Sequence, residues 1–109
     1  MVTQLLIRRH RNAHRISVGG NVDAQSASAF GAVLRRDVRT MALEGGALEL
    51  DLVDLELDGS AVPEAVNALR ELLREFRVVV RHAPSTLAQR LVRAGMLDDG
   101  RLQLEAPRA

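Results

Sequence analysis

Hydrophobic positions along this chain alternate between a period of two and a period near 3.6, and the changes of period mark its elements. Residues 4–9 (Gln-Leu-Leu-Ile-Arg-Arg) and 14–18 (His-Arg-Ile-Ser-Val) read as two short strands joined by the polar tip His10-Arg11-Asn12-Ala13, which predicts a hairpin. Gly19-Gly20-Asn21 punctuates the end of the second strand. Asp23 is placed to cap a helix over 24–39, in which Ala27, Phe30, Leu34, Val38 and Met41 recur at helical spacing. Arg35, Arg36 and Arg39 fall near its C-terminal end, where they complement the macrodipole. Leu43-Glu44-Gly45-Gly46 is the exit loop.

The next stretch, Asp51 to Val66, organises the rest. Residues 47–53 alternate, with Leu48, Leu50 and Leu52 on one face and Glu49 and Asp51 on the other, as in a half-buried strand. The phase then shifts, because Leu55 and Leu57 are odd-numbered. A slip of one residue in a regular strand would turn the apolar set outward, so the strand ends near Val53 and 54–58 is a separate crossover. A tight turn at Asp58-Gly59-Ser60 opens a helix over about 60–75. Val62, Ala65, Val66, Leu69, Leu72, Leu73 and Phe76 form its apolar stripe, and Glu64, Asn67, Arg70, Glu71 and Arg74 its polar face. The continuous Val run of Arg77–His82 predicts a central strand buried on both faces. Ser85 is placed as the N-cap of a helix that carries Leu87, Ala88, Leu91 and Val92 inward and ends at Gly95. Arg101–Glu105 alternates as an edge strand, and 106–109 is a short tail.

The order β-β-α-β-α-β-α-β predicts a single α/β domain over residues 1–109, with its core at about 4–105. The fold expected is a mixed open sheet of about five strands with helices packed on it, its later strands parallel.

Composition narrows the function more by exclusion than by assignment. No window is apolar enough to span a membrane, and the N-terminus shows no signal-peptide pattern, so a cytoplasmic location is expected. Without cysteine there is no disulfide, thiol nucleophile or thiolate metal site. All 15 basic residues are arginine, which excludes lysine chemistry and leaves planar, bidentate contacts to carboxylates and phosphates. A net charge of +1 and the absence of Tyr and Trp argue against nucleic acid as a partner. His10, His14 and His82 match no zinc spacing, and no nucleophile elbow, P-loop or dinucleotide fingerprint is present. No cofactor or metal is expected, and no catalytic residue is assigned. The run Arg8–Arg15 suits a solvated, charged strand edge, although an acidic or phosphate-bearing partner would also find it congenial. Asp51, Asp54, Glu56 and Asp58 crowd one segment without a nucleophile or oxyanion stabiliser beside them. Asp58 differs from the others, since at a helix entrance it can cap backbone N–H groups or orient a hydroxyl.

These residues resemble the STAS domains, the modules typified by anti-sigma-factor antagonists. Leu50-Asp51-Leu52, then Leu55, Leu57 and Asp58-Gly59-Ser60-Ala61, follow that family's strand, crossover and Asp-Ser-Ser-Gly helix start. Upstream, Val18-Gly19-Gly20-Asn21-Val22-Asp23 is similar to its Gly-x-Leu-Asp, and Pro84-Ser85 through Leu91 to Gly95-Met96-Leu97 is similar to its closing segment. The resemblance spans about residues 4–105. It implies a non-catalytic regulator that binds a protein partner, either an anti-sigma factor that is also a serine kinase or an ABC-type ATPase. The second case is the small cytoplasmic subunit of a lipid transporter. The implied partner surface comprises Asp23, Asp58, Gly59, Ser60, Ala61, Val62, Glu64, Asn67, Arg70 and Glu71. In the sigma-factor branch the first hydroxyl residue after the Asp is phosphorylated. Here Gly59 holds that position, and Ser60, one residue later, is the candidate phosphoacceptor.

Overall fold

The direction in which the chain steps across its sheet decides where everything else lies. The structure, a computed structural model, describes residues 5–9, 15–38 and 47–106. Strand β1 (Leu6–Arg9) runs antiparallel to β2 (Arg15–Val22), with Leu6 opposite Gly19 and Arg9 opposite Ile16. The first part of β2 pairs parallel with β3 (Ala47–Asp51), and its last part pairs parallel with the short β4 (Leu55–Leu57). β3 in turn pairs parallel with β5 (Arg77–Arg81), and β5 with β6 (Leu102–Glu105). The sheet therefore reads β1-β2-β3-β5-β6, with β4 continuing the line of β3 along β2.

Between these strands lie α1 (Ala27–Ala32), α2 (Val62–Leu72) and α3 (Ser85–Arg93). From β2 onward every crossover steps the same way across the sheet. Crossovers of one hand stepping one way put their helices on one face. Accordingly α1 packs on α2 and α2 on α3, and all of them cover the face that carries the even-numbered residues of β2, β3, β5 and β6 and Ile7 of β1. Ile16, Val18, Leu48, Leu50, Val78, Val80 and Leu102 meet Phe30, Leu34, Leu69, Leu72, Leu87 and Leu91 there in one buried cluster. Among the described residues no helix is long and apolar enough to cross a membrane.

This layout corrects several expectations. β5 is buried on one face only: Val78 and Val80 are inaccessible, whereas Val79 and Arg81 are half-buried and Arg77 is exposed. A Val run signals burial, but one-way winding supplied a single helical layer. β2 does not stop at Gly19 but continues to Val22. Glycine at 19 is needed because the turn after β3 crosses over it: a Cβ there would sit 3.0 Å from the Asp54 Cβ and 3.2 Å from its carbonyl oxygen. The Gly20 N–H donates to that same carbonyl at 3.1 Å.

The phase shift after Val53 is real, and Val53-Asp54 is the turn that absorbs it. Leu52 remains buried before the turn, and Leu55 is buried after it. The 54–58 crossover, however, holds the paired strand β4.

The first helix starts at Ala27 rather than 24, because Asp23 folds the chain back on itself. Its Oδ1 accepts N–H bonds from Gln25 and Ser26 at 2.9 and 3.0 Å, and Ser26 is the cap. These bonds, from Ser26 above all, hold the Asp23 carboxyl below its ordinary pKa. Beyond Ala32 the helix widens into a π-helical turn over Val33–Val38. At α3 the cap is Pro84, extended at ψ 142°, and Ser85 is the first helical residue. The expected αL ending is present, with Gly95 at φ +70°. Arg39, Met41, the Leu43–Gly46 loop, the tip at 10–13, His14 and the tail at 107–109 lie outside the described residues.

Among the described residues the odd-numbered face of the sheet carries no helix. Its charges form a ladder across the strands. Arg15 donates to Glu49 at 3.1 Å, Arg81 to Glu49 at 3.0 Å and to Glu105 at 3.3 Å, and His82 Nδ1 lies 3.1 Å from Asp51. The Arg15 hydrogen bond, with help from Arg81, holds Glu49 below its ordinary pKa, against the opposing effect of burial. A carboxylate depressed in the folded state adds stability that is present above its unfolded pKa and is lost as pH falls through its folded pKa. Unfolding free energy should therefore decline as the solution is acidified below the ordinary glutamate range. Glu49→Gln should flatten that decline relative to the parent chain, as measured by urea titration at a series of pH values. An unchanged slope would show that the ladder does not bind its protons differently on folding.

Candidate functional site

The segment from Asp51 to Val66 reaches the surface at its middle. After β4, the Asp58 N–H donates to the Val22 carbonyl at 2.8 Å, which ties the turn to the end of β2. Asp58 itself is extended (φ −68°, ψ 147°), and its carbonyl accepts the Ala61 N–H at 2.9 Å as a 3-10 turn over Gly59–Ala61 begins. α2 follows directly, with Pro63 in its first turn, where a missing N–H costs nothing.

Within this turn the Ser60 hydroxyl donates to the Asp58 carboxylate, and both residues are exposed. Asp58 therefore orients a hydroxyl; its side chain makes no cap bond to the helix backbone. Gly59 is also exposed, and a Cβ built there meets nothing within 4 Å. Neither packing nor backbone conformation requires glycine at 59.

Two shallow grooves flank the turn. One, of about 330 Å³, is lined by Asn21, Val22, Asp23, Glu56, Leu57 and Asp58 and is acidic. The other, of about 200 Å³, runs between Gly59, Val62 and Pro63 on one side and Thr86, Gln89, Arg90 and Arg93 on the other, and is basic. The Ser60 turn thus stands between a negative and a positive patch, contributed by the β2 end, the β4–α2 connection and α3.

The structure brings Asp23, Asp58, Gly59 and Ser60 together at this surface, and it leaves Asn67 and Arg70 exposed on α2. It removes others. Ala61 is fully buried and Val62 is 6% exposed, so neither is a free contact residue; both anchor the turn to the core.

Glu64 and Glu71 are occupied. Arg35, from the π-helical turn, donates to Glu64 at 2.5 Å and also to Glu71. Those bonds, to Glu71 first and Glu64 second, hold the guanidinium pKa above its ordinary value. Gly31 leaves room for the clamp, since a Cβ there would lie 2.5 Å from the Glu64 Oε1. Sequence reasoning assigned Arg35 to the helix dipole and missed this role. Its only signal was an arginine on one helix and two glutamates spaced seven apart on another, which says nothing until the helices are known to pack.

Sequence reasoning also missed Arg90 and Arg93, which entered only as part of a capped closing helix. Against known proteins, the chain matches no protein-family model and no curated protein.

Proposed function

We propose that this chain is a non-catalytic docking module of the STAS type, which engages an ATPase-like protein partner through the surface around the Asp58–Ser60 turn. The observation that carries this reading is the turn itself: exposed, pinned to the end of β2 beside Asp23, and opening the longest α-helix of the described residues. The contact set is Asp23, Asp58, Gly59, Ser60, Asn67 and Arg70, flanked by Arg90 and Arg93. It offers charge of both signs for a complementary partner, which favours specificity and encounter rate.

Ser60 is the candidate switch. A phosphate there adds about −1.5 to −2 charge at neutral pH. It would remove the proton that Ser60 gives to Asp58 and set two anions against each other. The bond that shapes the turn would thereby become a repulsion.

Gly59 favours the second reading equally well, in which the partner is a transporter ATPase and docking needs no phosphate. The open space at 59 makes the two readings separable. Gly59→Ser should fold with a melting temperature close to that of the parent chain, since its Cβ meets no neighbour. Incubation with a serine-kinase partner and ATP, followed by intact mass, should add one phosphate to the parent chain, lost in Ser60→Ala, if Ser60 is the acceptor. If only Gly59→Ser gains the phosphate, the kinase recognises the surface and the native chain docks unmodified. If neither chain is modified and Ser60→Asp leaves partner binding unchanged, the surface is not the docking site.

A further inference from the structure

The bare sheet face has a charge pattern that is complementary to itself. Read across the strands, the described residues on this face give Arg8 and Arg15 on β1 and β2, then Glu49 and Asp51 on β3. Arg77 and Arg81 follow on β5, and Glu105 on β6. The signs are positive, negative, positive, negative. Arg101, at the foot of β6, is the exception.

Consider a two-fold axis lying in the plane of this face, parallel to the strands, between β3 and β5. It reverses the strand order of one copy over the other and preserves the level along the strands. The negative β3 then faces the positive β5 of the second copy, and β2 faces β6, with Arg15 two residues along from the level of Glu105 and β1 extending past the edge. Because Asp51 and Arg81 are register partners in the sheet, the same axis sets Asp51 of each copy over Arg81 of the other. This adds a contact across the seam to those that Arg81 makes with Glu49 and Glu105 and that Asp51 makes with His82. A two-fold axis perpendicular to the strands would instead set each stripe over its own sign. The pattern selects one orientation and repels the other, which is how an isologous contact is specified.

Two further features suit a cover. Parallel strands with one face uncovered are uncommon, because crossovers usually supply helices to both. The face also offers room for opposing side chains: a groove of about 490 Å³ is lined by Glu49, Arg77, Val79 and Gln103 together with residues at the foot of β6. At the far edge Leu6 is 71% exposed. The geometry points to a homodimer in which two copies close their bare faces on each other, sheet to sheet, held by matched charge stripes.

The dimer should be weak and salt-sensitive. Sedimentation velocity on the unmodified chain tests this without any variant. The dissociation constant should rise about tenfold or more between about 10 mM and about 1 M salt, as the Debye length falls from about 30 Å to about 3 Å. A monomer throughout the concentration range at low salt, or a dimer indifferent to salt, overturns the proposal.

The partner face is identified by mixing. Asp51→Arg alone and Arg81→Glu alone each place like charges opposite one another and should be monomeric, with folding checked by circular dichroism. An equimolar mixture should recover the dimer, because Arg at 51 then faces Glu at 81 in one contact, and native Arg81 faces native Asp51 in the other. Dimers that survive both single reversals, or that fail to return on mixing folded variants, place the contact elsewhere and overturn the assignment.

Discussion

Replacing Leu50 by alanine is expected to remove about 2–5 kcal/mol of folding stability. Leu50 is fully buried in β3, between Ile16 on β2 and Val80 on β5, with the helical layer above it. Truncation removes apolar burial and leaves a cavity that the paired strands cannot close, because their spacing is fixed by backbone hydrogen bonds. A domain of this size commonly has about 5–15 kcal/mol in hand, so the loss is a large fraction of the total. It should appear as a lower urea midpoint at unchanged slope, and as a fall in melting temperature of about 4 °C or more per kcal/mol. Val53→Ala is the matched control: three residues away, 45% exposed and in the turn, it should change stability by no more than about 0.5 kcal/mol. Equal effects at the two positions would mean that β3 does not face the core in this register.

The second large effect separates folding from docking on one helix. Ala65→Asp is expected to cost about 4 kcal/mol or more and to leave little folded protein, because it puts a carboxylate at a fully buried position with no partner. Ser60→Asp adds the same charge five residues earlier, at an exposed position, and should leave the melting temperature within a few degrees. Thermal melts followed by circular dichroism distinguish them directly. If Ser60→Asp abolishes partner binding while folding is intact, the loss belongs to the surface. If Ala65→Asp melts like the parent chain, α2 does not pack as described.

What the sequence made legible followed from periodicity, and what it hid followed from packing between distant segments. The leucine alternation of β3, its change of phase at Val53 and the stripe of α2 are properties of single segments, and each could be read directly. The parallel arrangement of the later strands followed from the helices between them. The single helical layer did not, because strand order is a long-range property, and so the Val run of β5 was given two buried faces instead of one. Gly19 was read as a stop because glycine usually punctuates; its actual reason, the Asp54 turn crossing above it, depends on a residue 35 positions later.

The candidate site shows the same division. The exposed Asp58–Ser60 turn was readable as a helix entrance. The burial of Ala61 and Val62, the Arg35 clamp on Glu64 and Glu71, and the approach of Arg90 and Arg93 were not, since each needs two elements to meet.

One consequence of the β2 geometry concerns how force and fluctuation pass through the molecule. β2 is fastened along one edge by β1 and along the other by both β3 and β4, so it is the seam that three strands share. The docking turn hangs from the end of that seam by the Asp58 N–H bond to Val22. Opening that bond loosens the Asp58 end of the turn without unzipping β3 or β5, while buried Ala61 and Val62 hold its other end to the core. A partner pulling on the turn therefore loads the sheet in shear along its best-secured strand, while the turn stays free to reshape at the cost of local contacts only. Compliance and anchorage are assigned to adjacent residues, Asp58 and Val22.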